Sequence, residues 1–539
     1  ANNSAAAGDT IWMRAGTYSS TTQITLSKSG TSDTNRTKVW AYPGEVPVLD
    51  FSNYGAASSP TDNPAVLVTG SWMHLKGLEI ANGKVGSSGS HSYSLLRTKN
   101  TSHNTFELLN IHHGFGPGLF IDDTKGAGGH LILNCDSHDN YDKDGSQGDG
   151  QNGDGFGVHY QPSGATTILR GNRAWWNSDD GYDFIYQDTP VVVENCWAMG
   201  AGTSNYGTGR PSSGNGNGFK MGGNETNTRH MIRNSVAWSN KSSGFYSNHS
   251  TGGHTWYNNT SFQNGTNFNM LSGPSAAPIQ LTGALAHILR NNIGYPNKNS
   301  NMGGADTAFN AWDLNIIPKA TDFLSITDTS VSGTGQAIEA TSLAFGPRQA
   351  DGSLPNIDFL KLAAGSQMID KGTDVGLPFV GAAPDLGAYE YGATGTGGSP
   401  GTGGATGSGG TPGTGGTPAT GGTPGTGGAT GTGGRAGTGG ATGSAGATGT
   451  GGTPVGGAPG TGGTTAIGGA PGTGGTTAIG GRTGGGGTGG MVATGGTVGS
   501  GGSPVVAGGS VASGGTTGTG GLLASGGVSG IGGGATGGA

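Results

Sequence analysis

The feature that most constrains this chain is a repeat built around one asparagine. Asn134, Asn172, Asn195, Asn234 and Asn259 each follow a short β-rich run, and a polar turn follows each of them. Then comes a small residue and an apolar or aromatic one: DGFG at Asp154, DGYD at Asp180, NGFK at Asn217, SGFY at Ser243 and TNFN at Thr266. The shortest intervals are 23 residues (Asn172 to Asn195) and 25 residues (Asn234 to Asn259). That length suits one coil of a parallel β-helix, in which each turn stacks on the last. Helical periodicity is absent between Gly8 and Gly392, so the expected fold class is all-β, a parallel β-helix solenoid.

The repeat also sets a register. The asparagines are expected to form an internal amide ladder. Phe156, Tyr182, Phe219, Phe245 and Phe268 should stack in the core, which turns their neighbours Gly157, Asp183, Lys220, Tyr246 and Asn269 outward. Cys135 and Cys196 each follow a ladder asparagine with the Asn172 coil between them. Two coil steps span about 9–10 Å, beyond the roughly 7 Å that a disulfide tolerates between Cα atoms, so both thiols should be free and buried. Gly8–Tyr18 and Tyr42–Phe51 read as first coils, and the segment ending near Gly392 reads as a cap over the last coil.

Composition divides the chain in two. From Ala393 to Ala539 it is almost only Gly, Thr, Ala, Ser, Pro and Val, with Arg435 and Arg482 as its charges. Such a segment cannot bury enough apolar surface to offset chain entropy, so residues 393–539 are expected to be a disordered low-complexity tail behind a catalytic domain of residues 1–392. Its period is not that of collagen, and a flexible spacer is the expected role. The net charge of −7 argues against nucleic acid. No apolar run reaches membrane-spanning length. The opening ANNSAAAGDT has no signal-peptide pattern, so a signal is expected to have been trimmed. Few lysines and many Asn, Ser, Thr and Gly fit a secreted monomer, held at a cell surface through its tail if held at all.

NSDDGYDF, Asn177–Phe184, places Asp179, Asp180 and Asp183 within five residues. Stacking the coils puts Asp154 beside Asp180 and Lys220 beside Asp183, about 4.8 Å away. Four converging carboxylates suit a hard cation such as Ca²⁺, which takes oxygen ligands. A calcium ion bridging protein and uronate carboxylates acidifies the neighbouring C5–H, which a basic side chain, here Lys220, can remove. Insertions at Tyr141–Gly153 and Gly200–Gly216 leave from one corner and should wall a groove across this coil. Asp142, Asp144 and Asp149 read as solvated loop residues rather than a second ion site, and His159, His249 and His254 as structural or substrate-facing. Arg210, Lys241 and Tyr246 are candidate substrate contacts.

From His130 to about Asn269 these motifs resemble the pectate lyases of polysaccharide lyase family 9. The family's NSDDGYD-type motif is matched at Asn177–Asp183, its earlier aspartate at Asp154 and its lysine at Lys220. The resemblance implies a right-handed β-helix, calcium held by Asp154, Asp179, Asp180 and Asp183, Lys220 as Brønsted base, and polygalacturonate or a related acidic polysaccharide as substrate. Two rival functions remain at this point. A β-helix glycoside hydrolase would use Asp179 and Asp180 without Lys220, although the Gly-His-Gly and Arg-Ile-Lys signatures of polygalacturonases are missing. A non-catalytic carbohydrate-binding surface protein would need no base at all.

Overall fold

The computed structural model describes residues 4–54, 63–83, 94–142, 148–203, 213–223, 226–274, 276–296, 298–327 and 343–393. The tail from residue 394, Asp144 and Arg210 lie outside the described residues. Short strands stack in three parallel sheets of 11, 10 and 9 strands among the described residues. The first sheet runs from Thr10–Met13 to Asp306–Ala308, the second from Gly16–Ser19 to Ile293–Tyr295, and the third from Ile24–Leu26 to Thr266–Asn269. Among the described residues, nine coils give one strand to each sheet, the last ones fewer, and sheet neighbours come from successive coils, as a parallel β-helix requires.

The third sheet carries the register inferred from the repeat. Phe156 pairs with Tyr182, Tyr182 with Phe219, Phe219 with Phe245 and Phe245 with Phe268. Their rings stack at 4.5–5.1 Å and are fully buried. The same pairing lines up Gly157, Asp183, Lys220, Tyr246 and Asn269 on the outer face. A one-residue slip would turn these charges into the core and the rings into water, so the stack locks the site's register.

The ladder differs from the expected one. Asn134, Asn195 and Asn234 occupy a corner column with left-handed backbone, φ 54°, 52° and 49°. The inner column lies one residue later and holds Cys135, Asn172, Cys196, Ser235, Asn259, Asn292 and Asn310. There Asn172 Oδ1 accepts from the Cys135 amide at 2.7 Å, and Asn259 Oδ1 accepts from the Ser235 amide at 3.0 Å. The expected list had merged two columns, because asparagine suits both a left-handed corner and an amide ladder. The cysteines are therefore ladder members themselves; both are free and buried, with Asn172 between them.

A second amide ladder had no expectation. Gly114 donates to Asn140 Oδ1 (3.0 Å), Asn140 to Asn177 (2.9 Å), Ala201 to Asn240 (2.9 Å) and Asn240 to Asn264 (2.9 Å). Asn177 opens the aspartate-rich motif, so this ladder fixes where the motif begins.

The closing segment also lies elsewhere than expected. Leu354, Phe359, Leu360, Met368, Leu386 and Tyr389 pack on the outer face of the second sheet, against Trp197, Trp238 and Phe262. Met302, Ala305 and Trp312 close the last coil instead, with Trp312 5.3 Å from Phe268. The reason is visible in the second sheet: Trp175, Met199, Trp238 and Phe262 point outward and need a cover.

Candidate active site

Asp154, Asp180 and Asp183 bring carboxylate oxygens within 4.8 Å of one another. Lys220 lies among them, its Nζ 2.9 Å from Asp180 Oδ2 and 3.1 Å from Asp183 Oδ2. All four groups are buried or nearly so. Backbone donors hold the carboxylates in place. The Asp180 amide donates to Asp154 Oδ1 (3.1 Å), the Asn217 amide to Asp180 Oδ1 (2.7 Å) and the Ile185 amide to Asp183 Oδ1 (3.1 Å). Asp179 is also buried but is oriented by the second insertion, accepting from the Asn215 amide.

Burial pushes all four carboxyls above the ordinary carboxylate range. For Asp154 the next cause is repulsion from Asp179, then from Asp183 and Asp180, so Asp179 belongs to the same electrostatic cluster. Burial alone would lower Lys220, but Asp180, Asp183, Asp179 and Asp154 outweigh it and hold the ammonium form well above its usual pKa. Four acids thus crowd around one ammonium. Oxygen-only donors, dense burial and uncompensated negative charge are the chemistry of a hard-cation site.

The surroundings clarify the other candidates. His159 Nε2 is 3.9 Å from Asp183 Oδ2, and burial, aided by the Lys220 charge, pulls its pKa to about 3. Tyr246 is the next outward residue after Lys220, and its hydroxyl lies 3.1 Å from His249 Nε2. The Lys241 ammonium donates to the Gly214 carbonyl at 2.7 Å, tying down the second insertion. The described ends of the two insertions meet, since the Ser213 amide donates to the Asp149 carbonyl at 2.9 Å. Asp142 is buried, and its pKa rises to about 6.

His254 is structural, one member of a histidine ladder. Val191 donates to His230 Nδ1, His230 to His254 Nδ1 and His254 to His287 Nδ1, at 2.9–3.2 Å. Two contributors to the site escaped sequence reasoning. Asn217 continues the Asp154–Asp180 column by hydrogen bonding Asp180 through both its amide and its side chain. Asn177 anchors the motif through the second ladder, and its signal was available, because a second asparagine precedes each polar turn at Asn140, Asn177, Asn240 and Asn264.

Residues 1–300 match the family model described as the Pel9A-like, right-handed β-helix region. Pectate lyase L of Dickeya chrysanthemi is 34% identical over 390 residues, covering 71% of this chain and 83% of that protein. The solved structure of pectate lyase Pel9A superposes with a TM-score of 0.58 at 33% identity, covering 72% of this chain and 89% of the other. A rhamnogalacturonan lyase structure follows at TM-score 0.55 and 28% identity, covering 67% of this chain and 90% of the other.

Proposed function

Because the chain belongs to the Pel9A-like right-handed β-helix family and is a pectate lyase-like polysaccharide lyase, we propose that it cleaves pectate by calcium-dependent β-elimination, with Lys220 as the base. The observation that carries this reading is the packing of Asp154, Asp180 and Asp183 around the Lys220 amine. Asp154, Asp179, Asp180 and Asp183 would hold the ion. A calcium ion bound there would supply two positive charges against these carboxylates and draw electrons from the uronate carboxyl.

Lys220 stands on the outer face of the third sheet, one coil from Asp183 and one from Tyr246. With a cation sharing its carboxylate neighbours, their hold on the ammonium would weaken and burial would favour the free amine. The amine takes the C5 proton of a galacturonate. The C5–H electron pair becomes the C4–C5 double bond, the C4–O4 bond breaks, and the departing oxygen is protonated from water. The fixed hydrogen bonds to Asp154, Asp180 and Asp183 keep these groups oriented before substrate arrives.

Hydrolysis fits less well, because Asp179 is turned to the Asn215 amide while the lysine occupies the cluster's centre. The reading extends to a monomeric, secreted enzyme with residues 1–392 as the catalytic unit and the glycine- and threonine-rich tail as a spacer to a surface. The test is incubation with polygalacturonate, with and without a chelator. Elimination creates an unsaturated uronide that absorbs in the ultraviolet, and the signal should disappear with chelator. Chain shortening without new absorbance would overturn the reading.

A further inference from the structure

Two tyrosines, Tyr160 and Tyr186, stand at the corner that follows the strands carrying the acidic cluster. Tyr160 and Tyr186 follow the site strands of adjacent coils, and the Tyr160 amide donates to the Tyr186 carbonyl at 3.1 Å. Their rings stack at 5.6 Å with a 24° tilt, yet 39% and 46% of the two residues is exposed. Both have left-handed backbone, φ 65° and 55°. That conformation disfavours bulky residues; Asn and Gly take many of the other positive-φ positions, although Trp72, Leu108, Trp176 and Phe309 share it. Neither ring belongs to the hydrophobic core. Strained backbone carrying exposed rings points to a binding role.

The pair is continuous with the site. Tyr160 lies 5.5 Å from the ring of His159, which itself approaches Asp183. Toward the first coils, His159 aligns with Asp122 and Asp122 with Lys99. Lys99 is exposed and borders a depression of about 200 Å³ together with Leu67 and Arg97. From Asp183 to Arg97 is three coil steps, about 14 Å at the usual strand spacing.

We propose that Tyr160 and Tyr186 form a stacking platform for a sugar ring of the polymer arm that leaves the acidic cluster toward the first coils, with Lys99 beyond them meeting a uronate carboxylate. This rests on the uronan-lyase reading and deepens it. The platform reads the face of the sugar, whereas the cluster reads its charge. This arm therefore accepts methyl-esterified or neutral sugars at the platform.

The test uses the full chain carrying Tyr160→Ala and Tyr186→Ala together, with Tyr160→Phe/Tyr186→Phe as the shape-preserving control. Elimination kinetics on polygalacturonate and retardation in native gels containing that polymer are both measured, at low and high salt. The alanine pair should raise KM about tenfold with kcat within about twofold, because binding away from the reacting atoms is lost. Retardation should weaken, and the deficit should survive high salt, whereas the deficit of Lys99→Ala should shrink. The phenylalanine pair should behave as wild type. Unchanged KM and retardation in an alanine variant that melts like wild type would overturn the proposal, as would an equal loss in the phenylalanine pair. If the alanine pair melts early, Tyr186→Ala alone decides by the same two readouts. Absence of elimination by the wild-type protein would instead count against the lyase reading, and gel retardation would still judge the platform.

Discussion

Replacing Lys220 by alanine should make the stability of this fold depend on calcium more strongly than it does in the wild type. The ammonium lies 2.9 Å from Asp180 and 3.1 Å from Asp183, inside a cluster that also feels Asp154 and Asp179. At an effective dielectric near 20, opposite charges about 3 Å apart attract by about 5 kcal/mol. Desolvating the ammonium offsets part of this, and removing one member of a buried ion pair costs about 3–5 kcal/mol in practice. Proton uptake by the raised carboxyls softens the loss, so about 3 kcal/mol is expected at pH 8 in chelator. A divalent cation on the same oxygens restores the missing charge. Urea unfolding of both proteins, in chelator and in millimolar calcium, measures the difference. The variant should gain about 2–3 kcal/mol more from calcium than the wild type. An equal calcium response in the two proteins would refute the idea that ammonium and metal serve the same carboxylates.

The two asparagine columns should separate by mutation. Asn259→Ala removes the acceptor of the Ser235 amide and a donor to the Ile232 carbonyl, a loss of about 2–5 kcal/mol by urea unfolding. Asn195→Ala removes only the residue type suited to φ 52°, about 1 kcal/mol, and Asn195→Gly should be close to neutral; a larger loss at Asn195 than at Asn259 would contradict the ladder assignment. The histidine ladder should make the fold acid-sensitive. Burial holds His230 and His287 near pKa 3 and pushes His254 well below its usual value, against about 6.5 unfolded, so the unfolded chain binds more protons and stability falls as pH drops from 6.5 toward 3. Each histidine contributes up to about 1.4 kcal/mol per pH unit, and a melting temperature that stays flat from pH 6.5 to 4.5 with calcium present would be evidence against neutral rings.

Much of the site was legible because one residue type repeats where a coil must bury it. The aromatic column from Phe156 to Phe268 has no other reading once the coil length is known, and it carries Asp183 and Lys220 into register with it. The ladder was less legible. Asparagine serves at the left-handed corner of Asn195 and in the buried amide chain of Asn259, and a string of letters does not separate φ near 50° from a buried carboxamide. The place of the closing segment depends on which tryptophans point outward on the second sheet, and the register between neighbouring coils decides that. The orientation of Asp179 is set by the insertion backbone at Asn215, a contact of 36 residues' separation with no periodic signal.

Successive coils bring Lys220 into the acidic cluster, and its proposed role as the base follows from that placement. It is tested most directly by the elimination rate of Lys220→Ala on polygalacturonate at saturating calcium, with the variant's retardation in polymer-containing gels as the check on binding. A rate lower by about 10²–10⁴-fold with retained binding is expected. A rate within a few-fold of wild type would contradict the claim.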